Sequence, residues 1–381
     1  MCVCVKYNAY RDCYHLGNSV GMKCVLHFCV EESNRATDFG GGVGGYTTYT
    51  NRLIAAQDSF LKSGFEMHFS RVTPPLKLKP KLLVDLFKLL FDAGRALYSM
   101  FRYRPDVIHI HGMYWRSTYR EVIFLVLGRI FSANVFYEAR GGSFSECIQH
   151  RSLQGHLARF LLRSAQVVSI QGEKEIGSLA GIAGRSILYM PNVISPQLER
   201  MRFENKKFSE RDVDFCFLGY VSRAKNIELF FNIAELNPDK KFTCIGFVER
   251  GLLDAVSLPK NVSLLGRLDK VDAFRVLQNT KFFLFPSKMR SEGQPNAILE
   301  AIWAGCVPIA FNHGFIADLI QDETLMLDPN VEDLTALNNQ VMKLYRMKDK
   351  TNRSHRSELI SFTRSHAEVE RLIEVYRHLV K

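Results

Sequence analysis

Glu292 and Glu300 stand in the segment of this chain best suited to chemistry, the stretch from Phe285 to Pro308. An apolar run ends at Pro286, Glu292 falls in a loop with Gly293 and Pro295, and a helix is expected to start near Asn296, a good N-cap residue. Glu300 then lies just over one turn into that helix. One carboxylate in a loop and one on the next helix can lie along a single elongated ligand. A solvated helix would account for Glu300 equally well. It would not account for Gly293, Pro295, Asn296, Ala301, Gly305 and Pro308 gathering in the same stretch.

Other residues at strand ends have the same character. The run Asp38 to Tyr46 holds Gly40, Gly42 and Gly45 in a literal G-x-G-x-x-G. It begins too far after the preceding strand for a nicotinamide fingerprint, and no acidic residue follows at the ribose-binding spacing. A backbone cradle fits better: without Cβ atoms, the loop and the next helix start can approach a diphosphate or a sugar edge closely. His109 and His111 alternate on one strand and are expected to point to opposite faces. His111 closes the strand before Gly112, where an α/β site is expected, and His109 is read as structural. Arg140 follows another strand in the same way and is expected as an acceptor-side cation. Asp212 and Asp214 form a literal D-x-D, but they open a strand and read as structural, so no metal site is expected.

These residues need a scaffold, and the hydrophobic pattern supplies one. From Met22 onward, short apolar runs alternate with amphipathic helical stretches, as in a parallel α/β sheet. Strands are expected at 24–30, 65–69, 107–111, 134–138, 166–170 and 186–190, with helices at 46–63 and 81–101. A charged stretch without apolar period, 195–211, reads as an interdomain linker. The alternation then restarts with strands at 213–218, 241–246, 262–265, 282–285 and 307–310. The expectation is two doubly wound, Rossmann-like domains facing across a cleft, 22–194 and 212–365, with a final helix over 366–381 packing back on the first. Ligands of such sheets sit at the carboxyl ends of the strands.

The Glu-x7-Glu spacing with Gly305-Cys-Val-Pro308 behind it resembles glycosyltransferase family 4, retaining enzymes of the GT-B fold. The resemblance runs from Met22 to the C-terminus. Gly41-Gly42-Val43 with Tyr46 looks like that family's glycine loop, and Pro105 to His111 like its Asp-x-x-His-x-His strand end. Pro191-Asn192 looks like its domain exit, and Phe217-Leu-Gly219 followed by Lys225 like its first donor-domain strand. By resemblance, Lys225 neutralises a nucleotide-sugar diphosphate with Arg223 as companion, and Glu300 accepts hydrogen bonds from the ribose. Glu292 contacts the transferred sugar, helped by the Gly293, Gln294, Pro295 and Asn296 loop and by Gly41 and Gly42. His111 is placed at the reacting centre. Tyr220 stands where the family often has arginine, and Gln294 where an aromatic is common.

Composition narrows the setting. The hydrophobic fraction is 47% and the charged fraction 23%, so disordered and coiled-coil classes are excluded. The net charge of +11 favours anionic partners. From Arg71 to Ile130, eleven basic residues stand against four acidic ones. That edge is expected either to be an ordinary solvated surface or to rest on anionic lipid, as would suit a polyprenyl-linked glycan acceptor. The basic residues lack interleaved stacking aromatics, so nucleic acid is not expected as a partner. Nine cysteines without redox or zinc spacing suit a reduced, cytoplasmic setting, and no apolar stretch reaches spanning length. Residues 1–21 have no clear period and read as an extension ahead of a functional start at Met22.

The expected activity is therefore metal-independent, cofactor-free transfer of a hexose-type sugar from a nucleotide diphosphate to a glycan or lipid-linked glycan, with retention, in surface polysaccharide biosynthesis. The alternatives are a non-hydrolysing nucleotide-sugar epimerase, or a non-catalytic binding protein on a transferase scaffold.

Overall fold

The computed structural model describes residues 21–29, 45–72, 81–112, 115–142, 144–289, 292–347 and 353–381. Gly41, Gly42, nearly all of the 1–21 extension and most of the basic loop before Lys81 lie outside the described residues.

The apolar runs form two six-stranded sheets. The first lobe contains β1 (Lys23–Cys29), β2 (Phe65–Arg71), β3 (Val107–Gly112), β4 (Asn134–Ala139), β5 (Val167–Ile170) and β6 (Leu188–Tyr189), in the order β2-β1-β3-β4-β5-β6. The second contains β7 (Val213–Leu218), β8 (Phe242–Ile245), β9 (Val262–Leu264), β10 (Thr280–Phe285), β11 (Val307–Phe311) and β12 (Met326–Leu327), in the order β12-β11-β10-β7-β8-β9. All strand pairs are parallel. Helices on both faces bury the central strands, which is why they read as continuous apolar runs. In both sheets the order reverses beside the first strand, between β1 and β3 and between β10 and β7. Such switch points open a crevice at the carboxyl ends of the strands.

Three elements differ from the sequence expectation. The 46–63 helix is broken at Ala56 into Gly45–Ala55 and Gln57–Lys62. The 195–211 stretch is more than a connector. Ser195 accepts the Leu198 N–H to cap a Pro196–Met201 helix, Leu198 is buried in the second core, and Arg211 donates to the carbonyls of Thr280 and Ala304. Its many charges hide an anchor whose partners lie far along the chain. Strand β12, at two residues, is too short to give a period.

The last helix, Ala367–Leu379, lies on the first sheet. Leu372, Tyr376 and Leu379 join Val25, Tyr49 and Phe136 in one core cluster, and the Asn134 amide donates to the Leu379 carbonyl at 2.7 Å. No helix among the described residues is long and apolar enough to cross a membrane.

Candidate functional site

At the second switch point, the turn after β7 meets the loop after β10. Asn226 adopts a left-handed conformation (φ 54°), and its side chain donates to the Pro286 carbonyl at 3.1 Å, tying the two together. This places Lys225 against Glu292, and the two form an ion pair, with the ammonium 5.6 Å from the centre of the Phe285 ring. Burial lowers the Lys225 pKa to about 8. The second Glu292 oxygen, Oε2, is buried and has no hydrogen-bond partner among the described residues.

Asn296 opens the helix Asn296–Trp303 as its first residue rather than as its cap. Pro295 takes the cap position, so the Asn296 side chain caps nothing. Its Oδ1 is buried and unpartnered among the described residues. Buried polar atoms are normally satisfied, so two acceptors unmet among the described residues, one of them on the partner of the half-buried Lys225 ammonium, mark a place where a ligand can supply the donors. Glu300 is half-buried one turn further on. Burial raises its pKa, and the charges of Lys270 and Arg52 oppose that rise. Arg223 sits at the rim. Its side chain pairs with Glu228 at 3.4 Å and its N–H donates to the Glu249 carboxylate.

Gln294 was expected beside the ligand, and the structure commits it elsewhere. Its side-chain N–H donates to the Gln171 carbonyl (2.8 Å) and the Tyr189 hydroxyl (3.1 Å). Its Oε1 accepts the Asn192 N–H, and its own carbonyl accepts from the Asn192 amide at 2.6 Å. A buried amide needs several partners, and the turn after β5 and the chain exit of the first lobe supply them. Gln294 thus clamps the loop carrying Glu292 to the opposite lobe. Gly293 allows the approach: a Cβ there would stand 2.4 Å from the Gln171 side-chain amide and 2.6 Å from the Arg140 carbonyl. Gly293→Ala is expected to push the lobes apart, read as a larger radius of gyration in small-angle scattering. An unchanged radius would show that the loop yields locally instead.

In the first lobe, His111 is the next-to-last residue of β3 and belongs to a buried polar network. His109 and His111 share one face, contrary to expectation, because residues two apart on a strand project to the same side; their rings are 4.4 Å apart. His27, paired in register with His109 on β1, completes the group, with its Nδ1 3.1 Å from His111 Nε2. Burial drives all three imidazole pKa values well down and keeps the rings neutral. Their nitrogens lie within 4.8 Å of one another, close enough to draw a metal ion. His109, however, already uses both nitrogens, on the Tyr376 hydroxyl (2.8 Å) and Glu138 (3.1 Å).

Arg140 was expected as an available cleft cation; it is instead fully engaged. It donates to Glu138 at 2.7 Å and to the Asn192 side chain at 2.5 Å, and stacks over Tyr49 at 3.5 Å. Glu138 is wholly buried, so the guanidinium compensates a charge that would otherwise be too costly to bury. Asn192 accepts from Arg140 and donates to Gln294, which joins the histidine network to the Glu292 loop. Sequence reasoning missed His27, Asn192 and Tyr376 as members of the site. The one available signal was Glu138, an acid ending an apolar strand two residues before an arginine.

Among the described residues, then, Lys225 and Glu292 meet, and Asn296 and Glu300 lie on the helix that follows the Glu292 loop. Gln294 joins the lobes through Asn192, Arg140 holds Glu138 and Asn192, Arg223 lies at the rim, and His111 stands next to the last residue of β3 in the first lobe.

No curated protein matches the chain. Solved structures do match over nearly all of it. Sucrose-phosphate synthase from Thermosynechococcus elongatus is 17% identical, with a TM-score of 0.68 over 94% of this chain and 99% of that one. Anabaena HepE in complex with UDP is 13% identical, with a TM-score of 0.63 over 94% of this chain and 100% of its own. AviGT4, a glycosyltransferase involved in avilamycin A biosynthesis, is 12% identical, with a TM-score of 0.56 over 94% and 98%. These likenesses and the two facing sheets give the chain the GT-B fold. Residues 199–358 match the family model for glycosyl transferases group 1, and that match falls on the lobe holding Lys225, Glu292 and Glu300.

Proposed function

We propose that the chain is a retaining glycosyltransferase that moves a hexose-type sugar from a nucleotide diphosphate to a glycan or polyprenyl-linked glycan, in surface polysaccharide biosynthesis at the cytoplasmic side. The observation that carries this reading is the Lys225–Glu292 pair at the β7/β10 switch point, with a Glu292 oxygen, and Asn296 Oδ1 on the helix that follows, buried and unmet among the described residues. A donor would supply what is missing: its diphosphate takes the ammonium, and its sugar hydroxyls donate to the carboxylate and the amide oxygen. Glu300 would receive the ribose hydroxyls. Anabaena HepE, of the same fold, has been crystallised with UDP-glucose, which supports a nucleotide-sugar donor.

In the reaction, the bond between the anomeric carbon and the diphosphate oxygen breaks. Negative charge grows on the leaving phosphate, where Lys225 and the first N–H groups of the Asn296–Trp303 helix stabilise it. The acceptor hydroxyl attacks from the same face, and its proton passes to the departing phosphate oxygen. This route uses no enzyme nucleophile, cofactor or metal. His111, held neutral by burial and by its hydrogen bond to His27, offers its ring to the transferred sugar without adding charge.

Thermal denaturation with UDP-, GDP- and TDP-sugars tests the reading. At a ligand concentration near 100 times the dissociation constant, stabilisation of about 2.7 kcal/mol is expected with one base and not the others. No shift with any of them would refute it.

A further inference from the structure

The helix Lys81–Tyr103 has two apolar faces, one packed in the core and one exposed, on which Phe101 makes a ring contact with Phe131 at 4.8 Å. Ala96 and Met100 are buried in the first core. On another side, Leu83, Leu86, Phe87, Leu90, Leu97 and Phe101 recur at helical spacing, and all are exposed, Phe87 at 71% and Phe101 at 65%. Single exposed apolar residues are ordinary, but a continuous stripe of large ones along a 23-residue helix is not. Ile130, 69% exposed at the end of the helix Thr118–Ile130, adds another large apolar side chain to the exposed surface of this lobe.

Charge identifies the occupant. Lys88, Arg95 and Arg102 recur every seven residues along one flank of the stripe. The helix carries two acids, Asp85 and Asp92, and Asp92 is buried against Arg120 at 3.0 Å. An exposed apolar stripe edged by a row of cations is how a helix lies in the plane of a bilayer, with its apolar side chains among the acyl chains and its basic groups at the phosphates. A protein partner burying the stripe would need an acidic row opposite the basic one, and a second copy of this helix brings the same basic row instead.

We propose that the Lys81–Tyr103 helix is an in-plane membrane anchor that docks the first lobe on an anionic lipid surface. This goes beyond sugar transfer and does not depend on it. Donor-induced stabilisation reports on the cleft and vesicle binding on this helix, so either can fail alone.

Flotation of the full chain with phosphatidylglycerol–phosphatidylcholine vesicles, against phosphatidylcholine alone, is the test. The chain is expected to float with the anionic vesicles, and less as salt rises. Phe87→Ser with Phe101→Ser, and separately Lys88→Gln with Arg102→Gln, are each expected to cut the bound fraction by roughly tenfold. Phe87, Phe101 and Arg102 are exposed and Lys88 is half-buried, so thermal midpoints and donor-induced shifts should stay close to the parent's and exclude misfolding. A chain that stays with the soluble fraction in every vesicle overturns the proposal. So does binding that both variants leave unchanged. A lipid-free dimer in sedimentation that Phe87→Ser with Phe101→Ser abolishes would assign the face to a second copy and overturn it equally.

Discussion

Replacing Lys225 by alanine is expected to lower turnover by about 10²–10³-fold, the usual cost of removing one fixed group that stabilises developing negative charge, roughly 3–4 kcal/mol. The effect should fall on kcat as well as KM, because charge on the leaving phosphate grows towards the transition state. Steady-state kinetics decide it, and a change confined to KM would reduce Lys225 to a ground-state contact. The same residue imposes a pH signature. Burial lowers its pKa to about 8, so donor affinity should weaken as pH rises through that value and the ammonium is lost. Stability moves the other way. A lysine whose pKa is depressed by folding holds fewer protons in the folded chain than in the unfolded one, between about 8 and its ordinary value. This group's contribution therefore rises with pH across that window. Donor binding and urea midpoints measured from pH 7 to 10 should diverge in sign.

Arg140→Ala is expected to destabilise the fold by about 3–5 kcal/mol, because it leaves Glu138 charged and wholly buried without its guanidinium. Asn192 would also lose the charged donor to its side-chain oxygen, on the residue whose other groups hold Gln294. Urea denaturation measures the loss. Arg140→Lys should recover only part of it, since a point charge cannot address Glu138 and Asn192 at once or stack over Tyr49 in the same way. A loss below about 1 kcal/mol would show that the guanidinium is not what compensates the buried Glu138 carboxylate.

These two residues divide what was legible from what was not. The Glu292 loop could be read because its ingredients are consecutive: a strand end, special loop residues and a helix start, all within a short window. The glycine turn and Lys225 after β7 were reached by resemblance rather than by periodicity. Arg140 was assigned to the cleft from position alone. Its partners are Glu138, two residues away, and Asn192, 52 residues away. The strand period of two puts His109 and His111 on one face, as the structure has them. His27 needed β1 and β3 to be neighbours before it could be seen at all.

From its order of residues alone, this chain determined two α/β units with a carboxylate pair at a strand end, because helix and strand periods and turn residues act over a few positions. The tertiary structure decided which side chains meet. His109 reaches Tyr376 across 267 residues, and Gln294 reaches Asn192 across 102. Contacts at that separation are set by strand order and by the final helix crossing back to the first sheet, and no local pattern encodes them. Whether a buried polar group is free for a ligand or already satisfied depends on those distant partners, so it could be known only once the chain had folded.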